Sequence, residues 1–286
     1  MLFTTLESVT NMNVIEIKPN GFCNGVIRAI KMVDEIVDNK NTKQPIYMFG
    51  NLVHNKHVVD MYKDKVIIIK KNYEDELSKI DSGTVIFTAH GIKPSIINIA
   101  KRKGLDIVDT TCPNVSKIQK LIRSKIDEDY DVLVVGQSTH PEVLSYLGID
   151  EKVKLYTEDF VPKKKTFIVN QTTLIYDDIL KIYEKLKSTY EQVEIALEIC
   201  NATKVRQQAI SNYADTCDAF IIVGDPNSKN CNSLFEVAKS YKPAFKVETK
   251  YELKNLSLKK FKTIGVTAGA STPRILLEEV IEELKK

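Results

Sequence analysis

Three of the five cysteines in this 286-residue chain, Cys23, Cys112 and Cys200, stand 89 and 88 residues apart, and that near-constant interval is the strongest constraint on the fold. Each follows a short β-branched run: VIEIKPNGFC, LDIVDTTC and VEIALEIC. Each precedes Asn24, Pro113 or Asn201 and then a helical pattern, so the cysteine recurs at a strand-to-helix turn. A basic residue lies five or six positions further on: Arg28, Lys117 and Arg206. The next strands, IYMFG, VLVVG and FIIVG, end at Gly50, Gly136 and Gly224, and four positions beyond stand His54, His140 and Ser228. Helices are expected at about 56–63, 141–147 and 232–241, followed by short strands at 66–69, 153–156 and 244–247. Closing strands TVIFTAHG, KTFIVNQTT and KTIGVTAGAS end in polar clusters holding His90, Thr172 and Ser271. The last helices begin at Pro94, after Asp177-Asp178, and at Ser271-Thr272-Pro273.

The expected fold is therefore α/β: three similar domains with mostly parallel sheets, 13–103, 104–191 and 192–286, in a pseudo-threefold arrangement around one central point. Open α/β sheets bind ligands beyond the carboxyl ends of their strands, so three such units aim three cysteines and about six polar side chains at one point. Lysine and arginine total 41 against 38 aspartates and glutamates and are interspersed, which speaks against a nucleic-acid footprint. No apolar run approaches the roughly 20 residues of a membrane helix. The N-terminus carries Glu7 and no basic region, unlike a signal peptide, so a cytoplasmic location is expected. Residues 1–12 match no part of the repeat.

Thiols at helix N-termini, each with a basic residue one turn in, are expected to ionise readily and to bind soft metals. One cysteine per repeat leaves the fourth position of a metal site open. A [4Fe–4S] cluster on three cysteines fits, with one iron free to act as Lewis acid and electron source. Cys217 reads as a core residue, and Cys231 falls in a suggestive loop. Three of the four histidines, His54, His90 and His140, occupy matched strand-end positions, whereas His57 reads as surface or packing. With Gln171, Thr172, Ser228, Asn230 and Ser271 they suit an anionic ligand such as a phosphate. No GxxxxGK[ST] or strand-coupled GxGxxG occurs. Glu142, the single acid of this set, reads equally as a proton donor of raised pKa or as a first-turn glutamate facing the helix dipole.

The segments NGFCNGVIRAI, LVHN, TAHG, DTTCPNV, THPEV, NQTTL, EICNATKVRQ, VGDPNSKN and VTAGAS together resemble the LytB-type 4-hydroxy-3-methylbut-2-enyl diphosphate reductases, from residue 21 to 271. The resemblance implies three α/β domains around a central [4Fe–4S] cluster, one per chain, held by Cys23, Cys112 and Cys200 with one open iron. It implies a reductive removal of the C4 hydroxyl, giving isopentenyl and dimethylallyl diphosphate as the last step of the non-mevalonate isoprenoid pathway. Carried over, His54, His90, His140, Ser228, Asn230 and Ser271 match the diphosphate set, Glu142 the proton donor, and Thr172 the threonine that positions the substrate alcohol. His140 assists the protonation. Electrons are expected from an external ferredoxin or flavodoxin, with neither nucleic acid nor membrane as partner. Lys229 and Cys231 depart from the family's usual serine or threonine, and Gln137 and Ser145 from its histidine and glycine. A dehydratase of the quinolinate synthase kind, an iron or redox sensor and a zinc module are the rival readings.

Overall fold

The computed structural model describes residues 12–162 and 165–286. Of the N-terminal segment outside the repeat only Met12 is described, and it packs against the core of the third sheet. The elements run β1 (Asn13–Glu16), α1 (Asn24–Asp38), β2 (Ile46–Phe49), α2 (Lys56–Asp60), β3 (Ile67–Ile69), α3 (Tyr73–Ser78), β4 (Thr84–Phe87), α4 (Pro94–Arg102) and β5 (Asp106–Asp109). Next come α5 (Pro113–Asp127), β6 (Asp131–Val135), α6 (Pro141–Leu147), β7 (Val153–Leu155), β8 (Thr166–Asn170), α7 (Tyr176–Thr189) and β9 (Val193–Ile195). The third stretch holds α8 (Asn201–Asn212), β10 (Ala219–Val223), α9 (Lys229–Tyr241), β11 (Ala244–Val247), a 3₁₀ turn (Lys250–Asn255), β12 (Thr263–Ala268) and α10 (Arg274–Leu284).

Among the described residues, twelve strands form three four-stranded sheets, β3-β2-β4-β5, β7-β6-β8-β9 and β11-β10-β12-β1, and every pairing within them is parallel. The sheets carry helices on both faces, which is why the central strands read as continuous apolar runs. Alternate side chains enter opposite cores: in the first sheet Ile46, Met48 and Ile86 pack on one face and Phe49, Val85 and Phe87 on the other. The third sheet divides likewise, with Phe220 and Ile222 opposite Ile221 and Val223.

The sheets are offset by one strand from the sequence divisions 13–103, 104–191 and 192–286. The strand leading to each cysteine pairs with the preceding unit: β5 with β4, β9 with β8, and β1 with β12 at the far end of the chain. Each cysteine is thereby delivered from the edge of one sheet into the first helix of the next unit, which ties the three units into a ring. Local pattern locates a strand but not its partner, so this offset is a tertiary result.

Three helix boundaries also differ from expectation. α9 starts at Lys229 rather than near 232, which makes Ser228 its N-cap; α7 starts at Tyr176, with Asp177 and Asp178 inside its first turn; and α2 ends at Asp60. At Gly50 the chain turns off β2 with φ of +93°, a conformation that excludes most side chains. No helix among the described residues is long and apolar enough to cross a membrane.

Candidate active site

Cys23, Cys112 and Cys200 are the N-cap residues of α1, α5 and α8, and none uses its side chain to cap the helix. Their sulfurs are left free to face inward. Each cysteine N–H donates to a carbonyl in the loop that closes the preceding sheet: Cys23 to Ala270 (3.1 Å), Cys112 to Ala89 (2.9 Å) and Cys200 to Thr172 (3.1 Å). Those loops carry Ser271, His90 and Thr172, so the backbone that fixes each sulfur also fixes a polar side chain.

Eleven of the twelve residues singled out in the sequence line one cavity of about 110 Å³, Gln171 being the exception: Cys23, Cys112, Cys200, His54, His90, His140, Glu142, Thr172, Ser228, Asn230 and Ser271. A Cβ at Gly25 would lie 2.8 Å from Cys112 Sγ, so glycine is needed for α1 to approach that sulfur. Asn114 Nδ2 donates to Cys200 Sγ at 3.1 Å. Three thiols in one cavity suit a group that takes three thiolates. The expectation of readily ionised thiols does not hold for Cys112. Burial pushes its pKa up, the neighbouring thiols add to the effect, and the helix N-terminal N–H groups only partly offset it. Cys217 and Cys231 are packing residues, 2% and 0% exposed, and burial pushes the Cys231 thiol up to about 12.

The three histidine rings converge from β2, β4 and β6. His54 and His90 meet edge-on with centroids 4.3 Å apart, and His90 and His140 stack at 5.4 Å. Desolvation lowers all three pKa values, His140 to about 3 and His90 well below the usual range, and mutual repulsion adds to the effect at His90 and His140. The imidazoles are neutral in the free protein. His140 Nδ1 accepts the Glu142 N–H (3.2 Å), which leaves the ring proton on Nε2 and makes that atom a donor. His54 Nε2 is buried with no hydrogen-bond partner, the mark of a group awaiting a ligand. His57, in contrast, is partly exposed 3.9 Å from Glu248.

Ser228 Oγ lies 3.4 Å from Ser271 Oγ, which donates to the His54 carbonyl at 3.0 Å. Asn230 Oδ1 accepts the Ala270 N–H at 2.8 Å while its Nδ2 donates to Thr203. Hydroxyls, an amide and three imidazoles thus form a donor-rich wall.

Two residues beyond His140 sits Glu142, 3% exposed in the first turn of α6. It accepts hydrogen bonds from Thr172 N (2.7 Å), Thr172 Oγ1 (3.0 Å) and Tyr146 Oη (3.0 Å). Burial nevertheless raises its pKa to about 7, since desolvation outweighs the three donors. The net preference for the protonated form is about 3 kcal/mol relative to a free glutamate. A carboxyl half-protonated near neutrality is suited to proton delivery, and its burial against Thr172 separates it from an ordinary exposed first-turn glutamate.

Lys229, noted in the sequence as a departure from the family's usual serine or threonine, lines the cavity, close enough for its charge to lower the His140 pKa. Two further residues escaped the sequence reading. Asp225 is 6% exposed and accepts the Lys56 N–H at 2.9 Å, fastening the Ser228 loop to α2 beside His54. Tyr146 is hidden in a helical pattern that only its burial against Glu142 makes meaningful. Gln171 is structural, accepting the Gln137 N–H and donating to Thr173. Ser145 stays in register in α6, donating to the Glu142 carbonyl (2.7 Å) and accepting from Gln119 (3.1 Å).

The family model described as LytB protein matches residues 14–285. A 4-hydroxy-3-methylbut-2-enyl diphosphate reductase of Halalkalibacterium halodurans is 40% identical over 286 residues, covering 96% of this chain and 91% of the relative. One of the same name from Symbiobacterium thermophilum is 39% identical, covering 96% and 97%. The solved structure of the E-1-hydroxy-2-methyl-but-2-enyl-4-diphosphate reductase from Plasmodium falciparum superposes with a TM-score of 0.88 at 32% identity, over 96% of this chain and 89% of that one. A second, titled as the terminal enzyme of the non-mevalonate pathway, gives 0.68 at 29% identity, covering 96% and 99%. A threefold sheet ring, a shared cysteine cavity and likeness along nearly the whole chain agree: this chain belongs to the LytB family.

Proposed function

We propose that the chain reduces 4-hydroxy-3-methylbut-2-enyl diphosphate to isopentenyl and dimethylallyl diphosphate, the last step of the non-mevalonate isoprenoid pathway. The observation that carries this reading is the convergence of these eleven residues from three separate sheets on one cavity. Cys23, Cys112 and Cys200 would hold a [4Fe–4S] cluster, one per chain, which supplies electrons and an open, Lewis-acidic iron when bound. His54, His90, His140, Ser228, Asn230 and Ser271 hold the diphosphate, with Lys229 adding a charge, and so fix the reacting end of the substrate. Thr172 orients the substrate hydroxyl toward Glu142, which gives the proton that lets it leave as water, and His140 assists. Protonation of the resulting allylic fragment at either of two carbons accounts for two products. The two electrons come from an external ferredoxin or flavodoxin. The five cysteines are all free thiols, which suits the reducing cytoplasm.

The test is anaerobic purification with iron and sulfide quantitation, then assay with the allylic diphosphate and a chemical reductant. About four irons and four sulfides per chain are expected, with strictly reductant-dependent formation of both products. Turnover without a reductant would instead favour a dehydratase.

Neutral histidines facing a diphosphate carry a further consequence. A bound anion raises the pKa values that desolvation has depressed, so binding takes up protons and affinity strengthens as pH falls. Titration calorimetry in two buffers of different ionisation enthalpy measures that uptake. A His90→Asn variant is expected to show less of it, and equal uptake in both proteins would contradict the assignment.

A further inference from the structure

The basic residue that follows each cysteine plays no part in the site described so far. In the fold each one reaches out of its own unit. Arg28 Nη1 donates to the carbonyls of Thr111 (3.2 Å) and Thr110 (3.5 Å), immediately before Cys112. Lys117 Nζ pairs with both carboxylate oxygens of Glu198 at 2.8 Å, two residues before Cys200. Arg206 Nη2 donates to the Gly21 carbonyl at 2.8 Å, two residues before Cys23. The pattern is cyclic: the first unit clasps the second, the second the third, and the third returns to the first. The residue two places after the cysteine follows the same cycle, Gly25 lying against Cys112 and Asn114 donating to Cys200.

The three clasps differ in burial. Arg28 and Lys117 are exposed, whereas Arg206 is 5% exposed. Its Nη1 donates to the Ala202 carbonyl at 2.8 Å, and its Nε is buried with no hydrogen-bond partner. Two neutral carbonyls do not balance a buried guanidinium, which needs a compensating charge. Cys23 and Cys200 lie near enough that negative charge on their sulfurs stabilises it.

We infer that Arg206 is a positioning residue: it locks the loop of Cys23 to the helix of Cys200 and holds a fixed positive charge behind those two sulfurs. The inference rests on the proposed cluster. A fixed cation favours the reduced, more negative state of whatever the thiolates hold, and so raises its potential.

The experiment compares wild type with Arg206→Met, Arg206→Gln, Arg206→Lys and Lys117→Met. Each is reconstituted anaerobically and followed by iron per chain, rate of iron loss to a chelator, and midpoint potential in a redox titration. Arg206→Met and Arg206→Gln are expected to lose iron several-fold faster and to show a more negative potential. Arg206→Lys keeps the charge, so its potential returns toward wild type while iron loss stays faster, because an ammonium cannot span both carbonyls. Lys117→Met is expected to match wild type, since an exposed pair contributes little. Wild-type retention and potential in Arg206→Met would overturn the inference; should that variant not fold, the same result in Arg206→Gln does so. A wild-type chain that takes up no iron would overturn the proposed cluster itself, and this inference with it.

Discussion

Glu142→Gln is expected to lower turnover by roughly 10²–10⁴-fold, the usual range for removing a positioned proton donor. Iron content and diphosphate affinity are expected to stay close to wild type. The amide has the shape of the carboxyl and still accepts from Thr172 N and Tyr146 Oη, so the wall around it survives. What it lacks is a transferable proton. Burial holds the wild-type carboxyl at about 7, so the donating form predominates below neutrality and is lost as pH rises through that value. Wild-type turnover should therefore fall on the alkaline side, and this limb should flatten in the glutamine variant. The same raised pKa means that the folded state binds the proton more tightly than the unfolded chain. Its contribution to stability is full below the ordinary value of 4.5 and is lost as pH climbs through about 7. Near-normal steady-state rates in Glu142→Gln would remove Glu142 from the proton-donor role.

Cys112→Ser is expected to be more severe, abolishing both iron retention and turnover. Its sulfur has Gly25 against it and its pKa is raised by burial, so a bound metal must displace its proton. Iron loading should accordingly improve as pH rises. Cys217→Ser and Cys231→Ser are the controls: both thiols are buried in one apolar core and neither lines the cavity, so neither change should alter the iron count. Iron per chain, measured after anaerobic reconstitution, decides the matter. An unchanged value in Cys112→Ser would reject it as a ligand.

Much of the fold was legible because the repeat is written locally. β-Branched runs, helix-opening residues and strand-end glycines recur at intervals of 86 to 89 residues, and each is a short-range signal. The members of the site were legible for the same reason, since matched positions in three copies raise a lone histidine or cysteine above its usual structural role. Strand partnership was not. Nothing in VIEI marks it as the neighbour of TIGVTA some 250 residues away, and the one-strand offset that closes the ring follows from that pairing. The start of α9 slipped because Ser228 serves both as its N-cap and as a wall of the cavity.

From the sequence alone come the threefold α/β plan, the three cysteines as a set and the polar residues beside them, because each depends on neighbours a few positions away. Tertiary structure decided what those residues face. It turned Glu142 inward onto Thr172, left His54 Nε2 without a partner, set Lys229 in the cavity wall and sent Arg206 across to the first unit. Desolvation and long-range contact control these outcomes, and both belong to the packed chain rather than to any segment of it.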